Sequence, residues 1–215
     1  MWAEEEAAMT SLAPAGGADR SRSLGELRAL VDGVDRAVCE AIAGTATPRL
    51  DRLLVAVSNA ANYSRLWLVT AAVTALVGGR RGRRAAGRGV LAIALTSAVT
   101  NLVLKPLAGR QRPAPSADHP APESRRVRQP ASRSFPSGHA ASAFAFATAM
   151  GQAVPGLRLP AHVAAAAVAY SRVHTGVHYP SDVVIGAVVG SLCGGSAGRL
   201  AARLSEMPRH RGDSR

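Results

Sequence analysis

Five stretches of this chain carry no charged side chain: residues 66–79, 89–104, 140–156, 159–171 and 183–198. Wound as helices they are apolar on nearly every side, which fits burial in a large core or in lipid. They are rich in Ala, Gly, Ser and Thr, small residues that let helices approach closely inside a membrane. "GGRRGRRAAGR" (78–88) separates the first two runs, and a Pro/Arg-rich loop over about 108–135 separates the second and third. The pattern predicts an all-α, multi-span helical bundle of about five spans, at roughly 20 residues per span.

Ahead of these runs, Leu24, Leu27, Val31, Val34, Val38 and Ile42 recur at three- and four-residue steps. Arg28, Asp32, Asp35, Arg36 and Glu40 lie off that stripe, so an amphipathic helix is expected. After Thr47-Pro48, Leu50, Leu53, Leu54 and Val57 repeat the pattern. Such helices suit a soluble core, a membrane interface or a packed position against spanning helices. Residues 1–22 are small and polar and are expected to be a disordered tail. They lack a basic segment followed by an apolar one, so no cleaved signal peptide is expected.

The formal charge of +12 is almost all arginine, since Lys105 is the only lysine. That balance suits anionic headgroups, phosphorylated substrates or nucleic acid. The basic residues stand in blocks between apolar runs, and aromatics make up only 4% of the chain. Stacking platforms for single strands are therefore missing, and no nucleic-acid partner is expected. Cys39 and Cys193 are distant thiols with no metal spacing and no disulfide framework.

Polar residues gather at particular ends of the runs. "KPLAGRQRP" closes the second and holds Lys105 and Arg112; "PSGH" (136–139) opens the third; "SRVHTGVHYPSD" (171–182) joins the fourth to the fifth. If successive spans alternate in direction, all three clusters fall on one face of the bundle. Lys105, Arg112 and Arg172 are cations suited to a phosphoryl group, arginine as a planar fork and lysine as a point charge. Ser137 and Gly138 sit where a helix is expected to begin, and the free N–H groups of a helix start attract anions. His139 and His178 form a candidate acid and nucleophile pair. Asp182, four residues after His178, can hold one ring nitrogen and leave the other free. Zinc is a rival for two histidines and an aspartate, but three adjacent cations favour an anion. His174 is expected to pack or support, His162 to be buried structure, and His119 to be solvated.

These three stretches resemble the three-part signature of the type 2 phosphatidic acid phosphatase superfamily, with every signature position present in order. The resemblance covers roughly residues 60–200. It implies the helical-bundle fold shared with bacterial acid phosphatases and vanadium haloperoxidases, and lipid phosphates or diphosphates as substrates in the membrane branch. By that resemblance His178 is the nucleophile that becomes a phosphohistidine, Asp182 orients it, and His139 protonates the leaving alkoxide. Lys105, Arg112, Ser137, Gly138 and Arg172 hold the phosphoryl oxygens, and no metal or other cofactor is called for. The implied organisation is a tail (1–22), amphipathic interfacial helices (23–62), a transmembrane phosphatase domain (63–204) and a basic tail (205–215).

The expected function is metal-independent hydrolysis of a membrane lipid phosphate: a polyprenyl phosphate or diphosphate, phosphatidic acid or phosphatidylglycerol phosphate. The partners are that substrate and membrane lipids. A lipid phosphotransferase using the same intermediate, and a non-catalytic protein that binds anionic lipid, are the alternatives. Short basic loops favour the cytoplasm, so the site opposite residues 80–88 is expected to face outward from a plasma membrane.

Overall fold

The computed structural model describes residues 16–114 and 122–206, and among these the chain is helical with no strand. In chain order the helices are α1 (Gly16–Ala43), α2 (Pro48–Ala60), α3 (Arg65–Val77) and α4 (Gly79–Ala98). A π-helical turn (Val99–Leu104) leads into the short α5 (Lys105–Ala108). Then come α6 (Gly138–Ala153), α7 (Arg158–His174) and α8 (Pro180–Glu206).

Each of the five apolar runs lies mainly on one helix, but the helix lengths differ from the expectation of five spans. Two stretches are long and apolar enough to cross a membrane: Gly79–Ala108, taken through the π turn, and Pro180–Arg203. α3, α6 and α7 have 13, 16 and 17 residues. At 1.5 Å per residue they reach only about 20–26 Å, short of a hydrocarbon core of about 30 Å. The arginine-rich stretch expected as a turn is itself helical, because α4 begins at Gly79; arginine and alanine are both good helix formers. At the N-terminus α1 begins at Gly16, inside the expected tail, and α8 runs to Glu206, just beyond the expected domain end. His119 lies outside the described residues.

α6 is the central element, packed on α8, α4 and α7. Ten of its residues are buried, mostly alanine. Small side chains there let its neighbours come close. On α8, Gly186, Gly190 and Gly194 repeat at four-residue steps against the α6 backbone. A methyl group on Gly190 would run into the Ala141 carbonyl, and one on Gly194 into that of Ala145. At the far side Trp67 meets Phe146 with ring centroids 5.3 Å apart.

The outside of the bundle is apolar. Leu68, Val69, Val73, Leu76, Leu102, Leu159, Val163, Val184, Val188 and Leu192 are all exposed. α1 has the polarity opposite to that of a soluble surface helix. Among its described side chains Asp35 is the buried one, while Leu24, Leu27, Leu30, Val31, Val34 and Val38 face outward. The stripe expected from periodicity is present, but it is the polar side that meets the protein.

Replacing Gly190 by leucine should separate α8 from α6. Overpacking of this kind costs on the order of 1–3 kcal/mol. Thermal unfolding in detergent should show a loss of about 5 °C or more, whereas Leu192→Ala, on the exposed face of the same helix, should shift the midpoint little.

Candidate active site

The π turn and α5 bring Lys105 to the site. Pro106 has no N–H to donate back along the helix, and the chain leaves α5 at Gly109 in the left-handed region (φ 65°). Beyond it Arg112 is held by carbonyl oxygens. Its Nε donates to Pro130 (3.1 Å) and Ser132 (3.0 Å), and its Nη1 to Val177 (2.9 Å). The segment before "PSGH" is tied to the same turn, with the Ser134 N–H on the Arg110 carbonyl at 2.9 Å. Farther along the loop, the buried Arg125 binds Asp51 of α2 at 2.8 Å.

α6 starts beside the start of α8, because the Ser137 N–H donates to the Asp182 carbonyl at 2.9 Å. Ser137 is the N-cap of α6, its hydroxyl accepting from the Ala140 N–H. α7 ends in a turn through Gly176 (φ 66°), and the N–H groups of Val177 and His178 both return to the Arg172 carbonyl. That turn delivers His178.

Lys105, Arg112, Gly138, His139 and His178 line one pocket of about 180 Å³, with Ser64, Trp67, Ser97, Asn101, Ser132 and Ser142 also on its wall. Ser137, Arg172 and Asp182 are buried and are not part of that lining. Three separate stretches of sequence thus converge, and every residue singled out from them is at or next to the pocket.

Partner chemistry fixes the His178 tautomer. Arg112 Nη1 lies 3.2 Å from Nε2. A guanidinium only donates, so Nε2 must present its lone pair and the ring proton sits on Nδ1. Nδ1 lies 3.4 Å from Asp182 Oδ2 and 3.4 Å from the Ser134 hydroxyl. Asp182 Oδ2 also accepts from the Ser134 hydroxyl and from the Tyr179 N–H (3.0 Å), and Oδ1 accepts from Arg110 (2.9 Å). Burial pushes the His178 imidazole down to about 4; the hydrogen bond to Asp182 opposes this and the Arg112 charge adds to it. A neutral imidazole with its lone pair toward a cationic pocket can attack phosphorus. His139 Nε2 faces the Asn62 side-chain oxygen at 3.1 Å, so that nitrogen carries a proton. Asn62 stands in a turn where Tyr63 and Ser64 adopt positive φ (55° and 58°), a strained arrangement at the pocket wall.

Arg172 donates Nη1 to the Ser58 hydroxyl, while its buried Nε and Nη2 have no partner among the described residues. Two unmet donors next to the pocket suit an anion. His174 is instead bound to Asp51 at 2.8 Å, and His162 is bonded to the Arg158 carbonyl at 2.7 Å. Sequence reasoning passed over Arg110, Ser134, Asn62 and Ser58. Arg110 and Ser134 each stand two positions from a motif residue. The others are distant in sequence and gave no local signal.

Residues 86–204 match the model of the PAP2 superfamily. The chain belongs to this superfamily. The PAP2 match takes in all three motif stretches. Over 122 residues the chain is 43% identical to the decaprenylphosphoryl-5-phosphoribose phosphatase of Mycobacterium tuberculosis (strain ATCC 25618 / H37Rv); the match spans 56% of this chain and 63% of that relative. The protein of the same name from Mycolicibacterium smegmatis is 38% identical over 133 residues, 61% of this chain and 68% of the relative. Among solved structures, the transmembrane PAP2 type phosphatidylglycerolphosphate phosphatase from Bacillus subtilis superposes with a TM-score of 0.60 at 24% identity, covering 85% of this chain and 90% of its own. Aquifex aeolicus LpxE gives 0.61 at 24% identity, covering 76% and 93%. The PAP2 bundle is therefore the fold of this chain.

The low value for His178 has a direct consequence. An imidazole can act as a nucleophile only when neutral, and a lowered pKa keeps this ring neutral as pH falls toward about 4. Nitrogen NMR of the histidine-labelled protein, free of substrate, should show that the imidazole whose signal is lost in His178→Ala stays neutral at pH 6. A His178 that titrates at or above the ordinary 6.5 or so would contradict the assigned environment.

Proposed function

We propose that this PAP2 protein is a membrane lipid phosphatase that works through a phosphohistidine at His178. The observation that carries the reading is the His178 Nε2 lone pair, turned toward Arg112 in a pocket shared with Lys105, Gly138 and His139. Lys105, Arg112, Arg172, the Ser137 hydroxyl and the Gly138 N–H hold the phosphoryl oxygens, whose charge grows in flight. Nε2 attacks phosphorus as the ester P–O bond breaks, and His139 gives a proton to the departing alkoxide. Asp182 stabilises the positive charge that the ring acquires. Water then attacks the phosphohistidine, His139 takes its proton, and inorganic phosphate leaves with His178 restored.

The substrate we favour is a polyprenyl-linked phosphosugar, as in the names of the mycobacterial relatives. Ser97, Asn101 and Ser142 on the pocket wall support this, since they offer hydrogen bonds to the hydroxyls of a leaving sugar. The small pocket takes a phosphate and part of its alcohol, not a whole lipid. The rest of the substrate lies along the exposed apolar belt. That belt and the outward apolar stripe of α1 support a bundle embedded in a plasma membrane, with α1 in the interface. All five apolar helices lie within the bilayer region in this reading, the short α6 shielded by its neighbours.

His178→Ala should reduce phosphate release from decaprenylphosphoryl-5-phosphoribose at least about 10³-fold, as removal of a nucleophile does elsewhere. Turnover should persist in EDTA and be blocked by vanadate. Activity within tenfold of wild type in His178→Ala, or rescue of an EDTA-silenced protein by a divalent ion, would remove the mechanism. Equal or faster release from phosphatidic acid or phosphatidylglycerol phosphate would remove the sugar-lipid assignment while leaving the chemistry.

The site should face outward. Arg81 at the start of α4 donates to the Ala153 carbonyl at the end of α6, whereas the pocket is at the start of α6. The exposed arginines of α4 are thus about 24 Å from the site along the helix, and such basic segments favour the cytoplasm. In a background lacking Cys39 and Cys193, a cysteine at Gln129 should react with an impermeant thiol reagent in intact cells, and one at Arg83 should not. The reverse labelling would put the site inside.

A further inference from the structure

We propose that Asp35, on α1, is a positioning residue for the reaction: acting with Arg110, it fixes the Asp182 carboxylate and keeps its charge available to His178. The inference rests on the reading of His178 as the nucleophile. Asp35 lies outside the matched family region, which begins at residue 86.

The geometry runs in one direction. His178 Nδ1 faces Asp182 Oδ2, and Asp182 Oδ1 accepts from Arg110 Nη1 at 2.9 Å. The other arm of that guanidinium, Nη2, donates to Asp35 at 2.7 Å and to the more exposed Asp32 at 2.6 Å. The Tyr179 ring lies 4.3 Å beneath it. Asp35 holds the same helix start by a second route. It accepts the Ser181 N–H at 2.9 Å and the Ser181 hydroxyl, in the first turn of α8 where Asp182 stands. Asp35 thus caps α8 from another helix, where a carboxylate also suits the helix dipole. Both Asp35 and Asp182 are buried.

Charge explains why one carboxylate is insufficient. An imidazole attacking phosphorus becomes positive, and Asp182 must answer that charge. Arg110 paired with Asp182 alone would cancel it. With Asp35 and Asp32 on the other arm of Arg110 the group keeps a net negative charge beside His178, and Asp35, the buried one of the two, is the less screened by water. Arg112 meets His178 at its other ring nitrogen, and the charges of Arg172 and His139 also act on it. Asp32, Cys39 and Tyr179 complete the surroundings of Arg110. α1 otherwise packs only lightly on α7 and α8, so this polar group is its principal tie to the bundle.

Asp35→Asn separates charge from shape, because an asparagine can still accept the Ser181 N–H. We expect kcat for the phosphosugar lipid to fall about ten- to hundredfold, the range seen when partners behind a reacting shell are removed. KM should change little, since Asp35 is not on the pocket wall. The His178 titration in the substrate-free protein should move down in Asp35→Asn and up in Arg110→Gln, because a negative charge is lost in one and a positive charge in the other. A purely structural role would not give shifts of opposite sign. Glu40→Gln, the same charge change on the exposed side of α1, should leave both readings at wild type. Wild-type kcat and an unmoved titration in Asp35→Asn would overturn the proposal. If that variant does not fold, an unmoved titration in Arg110→Gln would do so. Absence of turnover in the wild type itself would strike the functional reading instead.

Discussion

Asp182 accepts hydrogen bonds from the Ser134 hydroxyl, the Tyr179 N–H and Arg110, and faces the proton-bearing nitrogen of His178. Its backbone carbonyl accepts the Ser137 N–H. One fully buried residue therefore joins the turn after α7, the first turn of α8, the start of α6 and the loop after α5. A carboxylate removed from water has to be met by donors on every side. Meeting that demand brings together the three stretches of sequence that line the pocket. The same demand sets the state of the histidine: the proton goes to Nδ1, and Nε2 is left for Arg112 and for the proposed attack.

The glycines of α8 make this arrangement possible. Gly186, Gly190 and Gly194 allow α8 to lie directly on the α6 backbone. The starts of the two helices are then close enough for a main-chain hydrogen bond between Ser137 and Asp182. α6 can be short because its sides are covered by other helices. Exposed apolar area is supplied by α3, α4, α7 and α8, whose outward leucines and valines form the apolar belt. α1 follows the same logic from outside, with its carboxylates turned inward to Arg110 and its leucines outward.

The motif residues were legible because each combines an unusual residue type with a turn. Lys105 is the only lysine, "PSGH" is a helix start by composition, and His178 and Asp182 are one helical step apart. Helix positions were legible from charge-free runs. Their lengths were not, because arginine supports a helix as well as it marks a loop, and α4 absorbed the expected turn. Periodicity found the stripe on α1 but could not say which side meets the protein. That choice depends on Arg110, 75 residues from Asp35. Arg110 itself was hidden among the arginines of its loop, and Asn62 and Ser58 acquire meaning only where the fold sets them against His139 and Arg172.

The central claim is covalent transfer of phosphate to one nitrogen of one residue. The most direct measurement is to mix the purified protein with substrate labelled in the scissile phosphate, quench in alkali within milliseconds, and map the label. A phosphohistidine intermediate should appear as a phosphoprotein that is stable in base, labile in acid and located at His178, and that is absent from His178→Ala. Turnover with no trapped phosphoprotein at any quench time, or label that persists in His178→Ala, would contradict it.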